Sequence, residues 1–341
     1  MSTQQEARRV TIIGDGQMGI VLALALDSCE VPVMLWGHDA EHSADLALRR
    51  ESRRHLPGVR VHERIGITAD EVQALDKTGL IVCAVPTQYI RGVFARLARH
   101  IPPRVGVVSG SKGIENESLL RPTAVIADVL GSSDARPYAA LCGPTIAEEL
   151  ARRLPATMVA ASDSHDFAVE VQSLFSTAWL RLYTVTDLLG VELAGATKNV
   201  IAIAAGIVDG LELGYNAKSA LLARGLAEIT RLGVAMGACP ETFFGIAGVG
   251  DLATTCFSPL GRNRSCGEAL GRGRSLDEYL HSTQSVVEGV ATTKSVVALA
   301  GAHRIEMPIT QAVHAVLFEG LEPRRAIARL MEREPKPERI G

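Results

Sequence analysis

The sequence predicts an α/β protein in which a mainly parallel, doubly wound sheet precedes an all-helical second half. Short apolar runs rich in β-branched residues alternate with helical stretches up to about Asp187, and strand-like runs disappear beyond that point. Near-continuous apolar strands separated by helices are typical of parallel sheets buried on both faces. A chain of 341 residues is also long enough for two domains.

The apolar runs give the expected strands directly, and the small-residue helical patterns give the main helices of the second half. The expected strands are residues 10–14, 31–36, 80–86, 105–111, 138–144 and 156–162. The expected long helices of the second half are residues 188–209, 217–236 and 286–300. We therefore expect one domain over residues 1–188 and a second over residues 189–341, with no flexible linker at the change of pattern.

Composition excludes several classes of protein. The net charge of −3 gives no general attraction to nucleic acid or to anionic membranes, so an anionic substrate needs a local basic site. The six cysteines include no C-x-x-C pair, which is typical of reduced thiols in the cytosol. The polar N-terminus does not resemble a signal peptide. The longest apolar run, residues 200–208, is shorter than the ~20 residues of a membrane span.

Residues 14–19 read GDGQMG and stand between the first expected strand and the first expected helix. In a dinucleotide-binding loop, Gly14 makes the tight turn, Gly16 lets the backbone approach the pyrophosphate, and Gly19 lets helix and strand pack closely. Amide groups at the helix start face the phosphates. The motif and its position predict a Rossmann domain that binds NAD(P)H, although a glycine turn without nucleotide is the alternative.

The choice between NAD and NADP depends on the end of the second strand, where an acid binds the ribose hydroxyls and a basic residue accepts the extra phosphate. Here the strand runs into Trp36, Gly37, His38 and Asp39. Asp39 has the spacing of an NAD acid, 20 residues after Gly19, whereas His38 can face a phosphate. These residues leave the preference open.

Lys198 is the most informative residue of the second half. It is the only cation between Arg181 and Lys218, and its own helix face carries mainly small residues. Small neighbours let a ligand approach, and such a lysine can polarise a carbonyl and deliver a proton. Lys112 follows the strand at 105–111, and the carboxyl ends of parallel strands line the ligand crevice. The alternatives are a lysine snorkelling from an amphipathic helix and a solvated loop lysine.

Further polar residues stand at the starts of helices. Gly143 and Thr145 follow a strand, so nearby amides can hold a hydroxyl or a phosphate, or simply cap the helix. Asp251 is a candidate hydrogen-bonding acid in the helical half. Residues 262–264 read RNR, a donor cluster suited to phosphate unless it is only a surface patch. Glu288 is expected to be a carboxylate at a helix start.

Taken in order, these motifs resemble the bacterial NAD(P)-dependent glycerol-3-phosphate dehydrogenases over nearly the whole chain. Any one motif is unspecific, but the ordered series is not. Its members are GDGQMG (14–19), LWGHD (35–39), AVP (84–86), SKGIE (111–115), CGPTIAEEL (142–150), VELAGATKNVIAIAAGIVDGL (191–211), ARGLAEITRLG (223–233), AGVGDLATTC (247–256), GRNR (261–264), VVEG (286–289) and MPIT (307–310). The resemblance implies a C-terminal domain of the 6-phosphogluconate-dehydrogenase-like type.

The resemblance also implies roles for individual residues. Lys198 matches the proton donor and acceptor, assisted by Lys112. Substrate contacts are implied for Lys112, Gly143, Thr145, Lys198, Asp251, Arg262 and Asn263, of which the last three match the group at the phosphate end. Cofactor contacts are implied for Gly14, Gly16, Gln17, Met18, Gly19, His38, Pro86, Lys112, Ala147, Arg262, Val286 and Glu288. No metal is implied.

The sequence departs from the family pattern at several positions. Gln17 and Met18 replace a small residue and an aromatic residue, and Asp15 brings a negative charge that we expect to face the pyrophosphate. Serine replaces threonine at 111, cysteine replaces serine at 142, and Gly261 stands where a serine helps hold the substrate phosphate. We expect these changes to weaken cofactor binding more than they alter the chemistry.

The expected reaction is the reversible reduction of dihydroxyacetone phosphate to sn-glycerol 3-phosphate by a cytosolic homodimer, for phospholipid synthesis. Two alternatives remain. A related Rossmann dehydrogenase of a 3-hydroxyacid or 6-phosphogluconate type also carries a lysine in its helical domain, but GRNR and AGVGDL argue against it. A paralogue that binds NAD(H) without turnover is suggested by the altered glycine loop, but the retained lysines argue against that.

Overall fold

The computed structural model describes residues 9–131, 136–283, 285–335 and 337. The chain divides into two compact units. The first contains the described residues up to Val85, together with Tyr89–Ser111 and Pro122–Leu188. The second contains Pro86–Gln88, Lys112–Arg121 and the described residues from Leu189 onward. Two short segments of the N-terminal half therefore pack with the C-terminal helices.

The first unit is built on one eight-stranded sheet with the strand order β3-β2-β1-β4-β5-β6-β7-β8. Only the pairing of β6 with β7 is antiparallel, which confirms the mainly parallel sheet. The first six positions have the order of a dinucleotide-binding Rossmann sheet. The strands are β1 (Arg9–Ile13), β2 (Val33–Trp36), β3 (Gly66–Thr68), β4 (Thr78–Cys83), β5 (Gly106–Ser109), β6 (Tyr138–Cys142), β7 (Ala156–Ala161) and β8 (Leu180–Val185).

Two of these strands were not predicted. β3 has three half-exposed residues, too few for an apolar run. In β8, Leu180 and Leu182 are buried while Arg181 and Tyr183 are exposed. Such alternation is typical of a strand with one solvated face, and a search for continuous apolar runs overlooks it.

Helices pack against the sheet of the first unit, and apolar residues of four of them join the strands in one core. The short segments Thr87–Tyr89 and Ala98–His100 are 3₁₀ turns on either side of the fourth helix. The helices are α1 (Gln17–Ser28), α2 (Ala40–Arg49), α3 (Glu71–Leu75), α4 (Ile90–Leu97), α5 (Pro122–Leu130), α6 (Ala147–Ala151) and α7 (His165–Phe175).

The second unit is helical throughout its described residues from Leu189 onward, as predicted, and has its own core. Its helices are α8 (Leu188–Gly210), α9 (Gly214–Ala235), α10 (Pro240–Phe244), α11 (Asp251–Phe257), α12 (Arg262–Gly271), α13 (Leu276–Ser282), α14 (Glu288–His303), α15 (Pro308–Phe318) and α16 (Pro323–Met331). A π-helical turn, Ile246–Gly250, precedes α11.

Helix α8 is the centre of the second unit. Close packing against α12 depends on glycines, since a Cβ on Gly206 would lie 1.9 Å from the carbonyl oxygen of Arg264, and one on Gly267 would lie 1.9 Å from that of Ile203. The apolar run 200–208 alone is too short for a membrane span. The whole helix α8 is long and apolar enough to cross a membrane. Its most apolar window is completely buried in the protein, as in the core helix of a globular fold.

Candidate active site and cofactor loop

A buried carboxylate joins the two lysines that the sequence singled out. Nζ of Lys198 donates to Oδ1 of Asp251 at 2.8 Å, and Nζ of Lys112 donates to Oδ2 at 2.7 Å. The side chain of Asp251 is 1% exposed, and those of Lys198 and Lys112 are 7% and 14% exposed. All three residues belong to the second unit. Three residues predicted separately therefore form one cluster, which we call the lysine–aspartate cluster.

The turn before α11 sets the position of Asp251. Within it, Gly248 approaches the preceding chain so closely that a Cβ there would lie 2.0 Å from the carbonyl oxygen of Phe243. The amide of Gly250 donates to the carbonyl oxygen of Gly245, which closes the wide π-helical turn. Asp251 follows as the first residue of α11. The glycines of AGVGD thus let the backbone segments approach each other closely before the buried acid. Such π-helical turns are frequent at functional sites.

Two polar residues that sequence reasoning missed complete this cluster. Thr255 Oγ1 accepts from Nζ of Lys198 at 2.5 Å and donates to the carbonyl oxygen of Asp251 at 2.6 Å. Nδ2 of Asn199 donates to the carbonyl oxygen of Lys112 at 3.2 Å. The available signal was spacing, since Thr255 lies one helical turn after Asp251 and Asn199 directly follows Lys198.

The lysine–aspartate cluster contains two basic groups and one acidic group. Burial raises the pKa of Asp251, but the two nearby ammonium groups outweigh burial and hold that pKa below its usual range. With both lysines protonated, the three groups carry one net positive charge. A buried charge is tolerated only when it is paired and hydrogen-bonded, and this arrangement meets both conditions. The cluster can therefore stabilise negative charge that develops on an oxygen beside it.

Arg262 and Asn263 open α12 and are tied to the start of α14. Nη1 of Arg262 donates to the carbonyl oxygen of Val286 at 3.1 Å, and Oδ1 of Asn263 accepts from the amide of Gly289 at 2.9 Å. Arg262 is an exposed residue. Gly261 is the N-cap of α12 and supplies no side-chain cap.

The second arginine of the GRNR motif has a different environment. Nε of Arg264 donates to Oδ2 of Asp209 at 2.6 Å, and Nζ of Lys218 donates to the same carboxylate at 2.7 Å. The side chain of Arg264 is 13% exposed. Arg264 therefore lies apart from the donor cluster predicted over residues 262–264, because the half-buried carboxylate of Asp209 holds its guanidinium in a separate ion network.

The cofactor positions implied in the second unit meet at the start of α14. Oε1 of Glu288 accepts from the amide of Thr87 at 3.0 Å and from its hydroxyl at 3.3 Å, and Pro86 precedes Thr87. Burial raises the pKa of Glu288, against the opposing effect of these hydrogen bonds. Val286, 39% exposed, is joined to Arg262 as described above. Glu288 thus anchors the Pro86–Gln88 segment to α14.

The glycine loop of the first unit has the shape that a pyrophosphate requires. Gly14 has φ +115°, and a Cβ there would lie 2.8 Å from the carbonyl oxygen of Ala84, while one on Gly19 would lie 1.8 Å from that of Gly14. A Cβ on Gly16 would meet nothing within 4 Å, so its backbone stays open to approach. Gly16 is also the N-cap of α1, without a side-chain cap. These residues fit a dinucleotide.

Gln17, in the glycine loop, contacts α6. Nε2 of Gln17 donates to Oε1 of Glu148 at 3.2 Å, next to the buried Ala147 that begins this helix. Met18 is half-buried and packs on the core of the first unit. The structure therefore brings Gln17 close to Ala147, two of the implied cofactor positions.

Gly143 has φ +148°, and the hydroxyl of Thr145 donates to its carbonyl oxygen at 3.1 Å.

The end of β2 differs from the sequence expectation. Oδ1 of Asp39 accepts from the amides of Glu41 and His42 at 3.0 and 3.1 Å, so Asp39 is the N-cap of α2, and His38 beside it is exposed. The carboxylate of Asp15, expected at the pyrophosphate, instead accepts from the hydroxyl of Ser43 and lies against Gly37. Backbone amides at the start of α2 thus hold Asp39, while Asp15 reaches across to the end of β2.

No group of three or more His, Cys, Asp or Glu side chains suited to a metal ion occurs in the described ranges. None of the six cysteines, which all lie in described ranges, forms a disulfide bond.

Comparison with known proteins agrees with this geometry. The sequence profile of the NAD-dependent glycerol-3-phosphate dehydrogenase N-terminus matches residues 9–168, and that of the C-terminus matches residues 187–328. Glycerol-3-phosphate dehydrogenase [NAD(P)+] 1 of Salinibacter ruber is 45% identical over 329 residues, 96% of each chain. Glycerol-3-phosphate dehydrogenase [NAD(P)+] of Geobacter sulfurreducens is 44% identical over 333 residues, 98% of this chain and 99% of its own.

A solved structure gives the same result. The crystal structure of glycerol-3-phosphate dehydrogenase from Coxiella burnetii superimposes with a TM-score of 0.91 at 36% identity, covering 96% of this chain and 99% of its own. The profiles together match well over half of the chain, and the relatives cover nearly all of it. The chain therefore belongs to the NAD-dependent glycerol-3-phosphate dehydrogenase family.

Proposed function

We propose that this chain catalyses the NAD(P)H-dependent reduction of dihydroxyacetone phosphate to sn-glycerol 3-phosphate. The observation that carries the proposal is the carboxylate of Asp251 between the ammonium groups of Lys112 and Lys198. The names of the relatives, whose sequences align over nearly the full length, support the same reaction. The product is the backbone precursor of glycerophospholipids.

The reaction adds a hydride and a proton across the ketone carbonyl. A reduced nicotinamide, when bound, would supply the hydride that the carbonyl carbon receives. Lys198 donates a proton from Nζ to the developing alkoxide oxygen, and Lys112 stabilises the negative charge on that oxygen. In the reverse direction, Lys198 accepts the proton from the hydroxyl group.

Asp251 holds the two lysines in position for this step. The family resemblance places it at the phosphate end of the substrate, but a carboxylate repels phosphate, and both of its oxygens accept from lysines. We therefore propose that Asp251 positions Lys112 and Lys198. Thr255 helps to position Lys198, because its Oγ1 accepts from Nζ of that lysine.

Arg262 and Asn263 bind the substrate phosphate in this proposal. The guanidinium of Arg262 is exposed and is tied to the chain by one bond to Val286, so its remaining donors suit a phosphate oxygen. Gly143 and Thr145 are further proposed substrate contacts. Arg264 has no proposed role at the phosphate, because Asp209 holds it.

Gly14, Gly16 and Gly19 would hold the cofactor pyrophosphate, together with the backbone amides at the uncapped start of α1. The other proposed cofactor contacts follow the family pattern. They are Gln17, Met18, His38, Pro86, Lys112, Ala147, Arg262, Val286 and Glu288. We further propose a cytoplasmic homodimer whose cofactor-binding and helical domains span residues 1–188 and 189–341.

Loss of NADH or NADPH absorbance after addition of dihydroxyacetone phosphate tests this function. We expect turnover with dihydroxyacetone phosphate and much less with unphosphorylated dihydroxyacetone, because Arg262 and Asn263 recognise the phosphate. Turnover of a 3-hydroxyacid or of 6-phosphogluconate in its place would favour the related dehydrogenases. Binding of NADH without turnover of any of these substrates would favour a non-catalytic paralogue.

A further inference from the structure

We propose that Asp15 makes this chain prefer NAD(H) over NADP(H), by supplying from the glycine loop the carboxylate that the end of β2 lacks. This inference rests on the proposed function for the identity of the cofactor. It assigns the preference to a residue whose side chain comes from outside β2.

The position of the carboxylate carries the proposal. Gly37 is the first residue after β2, and a Cβ built on it would lie 2.0 Å from Oδ2 of Asp15. The carboxylate therefore fills the space where a side chain of residue 37 would begin. In dinucleotide-binding sheets, an acid at the end of this strand accepts hydrogen bonds from the adenosine ribose hydroxyls. Asp15 brings a carboxylate to the same place by another route.

Neighbouring residues hold one oxygen of Asp15 and leave the other available. Oδ2 accepts from the hydroxyl of Ser43 at 3.0 Å, and both residues are buried. Oδ1 accepts no hydrogen bond from the residues that the structure describes and is not fully enclosed. A ribose hydroxyl can donate to that oxygen, whereas a phosphate ester at the same position brings a second negative charge toward it.

The other charged groups at this end of β2 do not replace Asp15. Asp39, whose spacing is compatible with an NAD acid, uses its Oδ1 to cap α2. Nε2 of His42 lies 3.8 Å from Oδ2 of Asp15 and is buried without a hydrogen-bond partner among the described residues. His38 is exposed. The buried carboxylate is thus the charge fixed closest to Gly37, and repulsion in a partly desolvated site exceeds repulsion in water.

Direct binding, without turnover, tests the preference. We would titrate the wild-type chain, Asp15→Asn and Asp39→Asn with NADH and with NADPH, following cofactor fluorescence at low and moderate salt. For the wild type we expect the Kd for NADPH to exceed that for NADH by at least about tenfold, or ~1.4 kcal/mol. Asp15→Asn keeps an oxygen for Ser43 but removes the charge. We therefore expect the ratio of the Kd for NADPH to the Kd for NADH to fall about fivefold or more, with a larger change at low salt.

Asp39→Asn is the matched control, because asparagine also caps helices and the substitution removes one carboxylate charge at the same strand end. We expect its ratio of dissociation constants to stay within about twofold of the wild type. If Asp15→Asn folds poorly by circular dichroism, Asp15→Ala removes the same charge and replaces it in the comparison.

The outcomes separate this inference from the proposed function. A wild-type preference for NADPH, or an equal ratio in wild type and both Asp15 variants, would overturn the role of Asp15. A changed ratio of dissociation constants in Asp39→Asn, with none in the Asp15 variants, would overturn the role of Asp15 and assign the preference to Asp39. The wild type could prefer NADH, and Asp15→Asn could lose that preference, while neither reduces dihydroxyacetone phosphate. That result would support the role of Asp15 and contradict the proposed function.

Discussion

Asp251 and Lys198 form a buried ion pair, with 2.8 Å between Oδ1 and Nζ, although they are 53 residues apart in the sequence. Removing two charges from water costs several kcal/mol unless good geometry and further hydrogen bonds compensate. Thr255 supplies such a bond to the lysine, and Lys112 supplies a second cation to the aspartate. The arrangement holds the ammonium group of Lys198 in one place, which a proton donor requires.

Asp251→Asn tests the positioning role. The substitution leaves two lysines without their buried counter-charge, so we expect the free energy of unfolding to fall by about 3–5 kcal/mol. We also expect kcat to fall at least about tenfold, because the lysines lose their fixed positions. Urea denaturation and steady-state kinetics measure the two effects.

Asp209→Asn is the matched control for that variant. Asp209 also lies between two cations, Lys218 and Arg264, in the second unit, but it has no proposed role in the reaction. We expect Asp209→Asn to lower the free energy of unfolding while changing kcat by less than about twofold. Equal losses of kcat in both variants would mean that Asp251 acts only through stability.

Lys198→Met tests the proton donor. Methionine keeps an unbranched apolar stem but cannot transfer a proton, so we expect kcat to fall by ~10²–10⁴. Binding of NADH, followed by fluorescence, should remain unchanged, and Asp251 keeps its ion pair with Lys112. A loss of kcat below tenfold would identify Lys198 as a structural lysine.

The members of the lysine–aspartate cluster were easier to predict than the contacts between them. Lys198 and Asp251 stood out because charged residues are rare among the small and apolar residues around them. Their pairing depends on how α8 packs with α11, and helical periodicity indicates only which face of a helix is apolar. The turn at AGVGD and the bond from Asn199 to Lys112 likewise depend on long-range packing.

The fold shows the same division. Continuous apolar runs predicted six strands, while β8 was missed because only alternate residues are buried. The spacing of Asp39 is compatible with a ribose-binding acid and left that role open. In the structure its carboxylate accepts from the first amides of α2, a local interaction that capping rules describe. The contact between Asp15 and Gly37 joins two loops 22 residues apart, and no local rule predicts it.

Arg262→Ala tests recognition of the phosphate. Loss of a charge-assisted hydrogen bond costs about 1.5–3 kcal/mol, so we expect the KM for dihydroxyacetone phosphate to rise roughly 10- to 100-fold. Activity with unphosphorylated dihydroxyacetone should change much less. Arg264→Ala is the control, because Asp209 holds that guanidinium, and its KM should stay within about threefold of the wild type. Equal losses on both substrates in Arg262→Ala would show that this residue does not contact the phosphate.

Glu228 gives a prediction about stability rather than catalysis. This buried residue of α9 accepts through Oε1 from the amide of Ile309 at 2.7 Å, and through Oε2 from the amide of Thr310 at 3.2 Å. These are the first free amides of α15, whose N-cap supplies no side-chain bond. Burial nevertheless raises the pKa of Glu228 to about 7 from an ordinary value of 4.5, because the hydrogen bonds compensate it only in part.

The direction of the pH effect follows from this raised pKa. Between pH 4.5 and 7 the folded chain holds a proton on Glu228 that the unfolded chain has lost. The stabilisation from that proton is fully present below pH 4.5 and is lost as the pH rises through about 7. One pKa unit corresponds to 1.36 kcal/mol, so the loss amounts to about 3 kcal/mol. Glu228→Gln cannot titrate, and its free energy of unfolding should therefore fall less between pH 5 and pH 8 than that of the wild type.

Urea denaturation of the wild type, Glu228→Gln and Glu278→Gln at pH 5 and pH 8 measures this difference. Glu278 is an exposed capping residue of α13 whose pKa is lowered by the hydrogen bond from the Ser275 amide, so it is ionised at both pH values. Glu278→Gln should therefore reproduce the pH dependence of the wild type. A Glu228→Gln variant with that same dependence would mean that the buried carboxyl is ionised throughout, with its charge held by the two amides of α15.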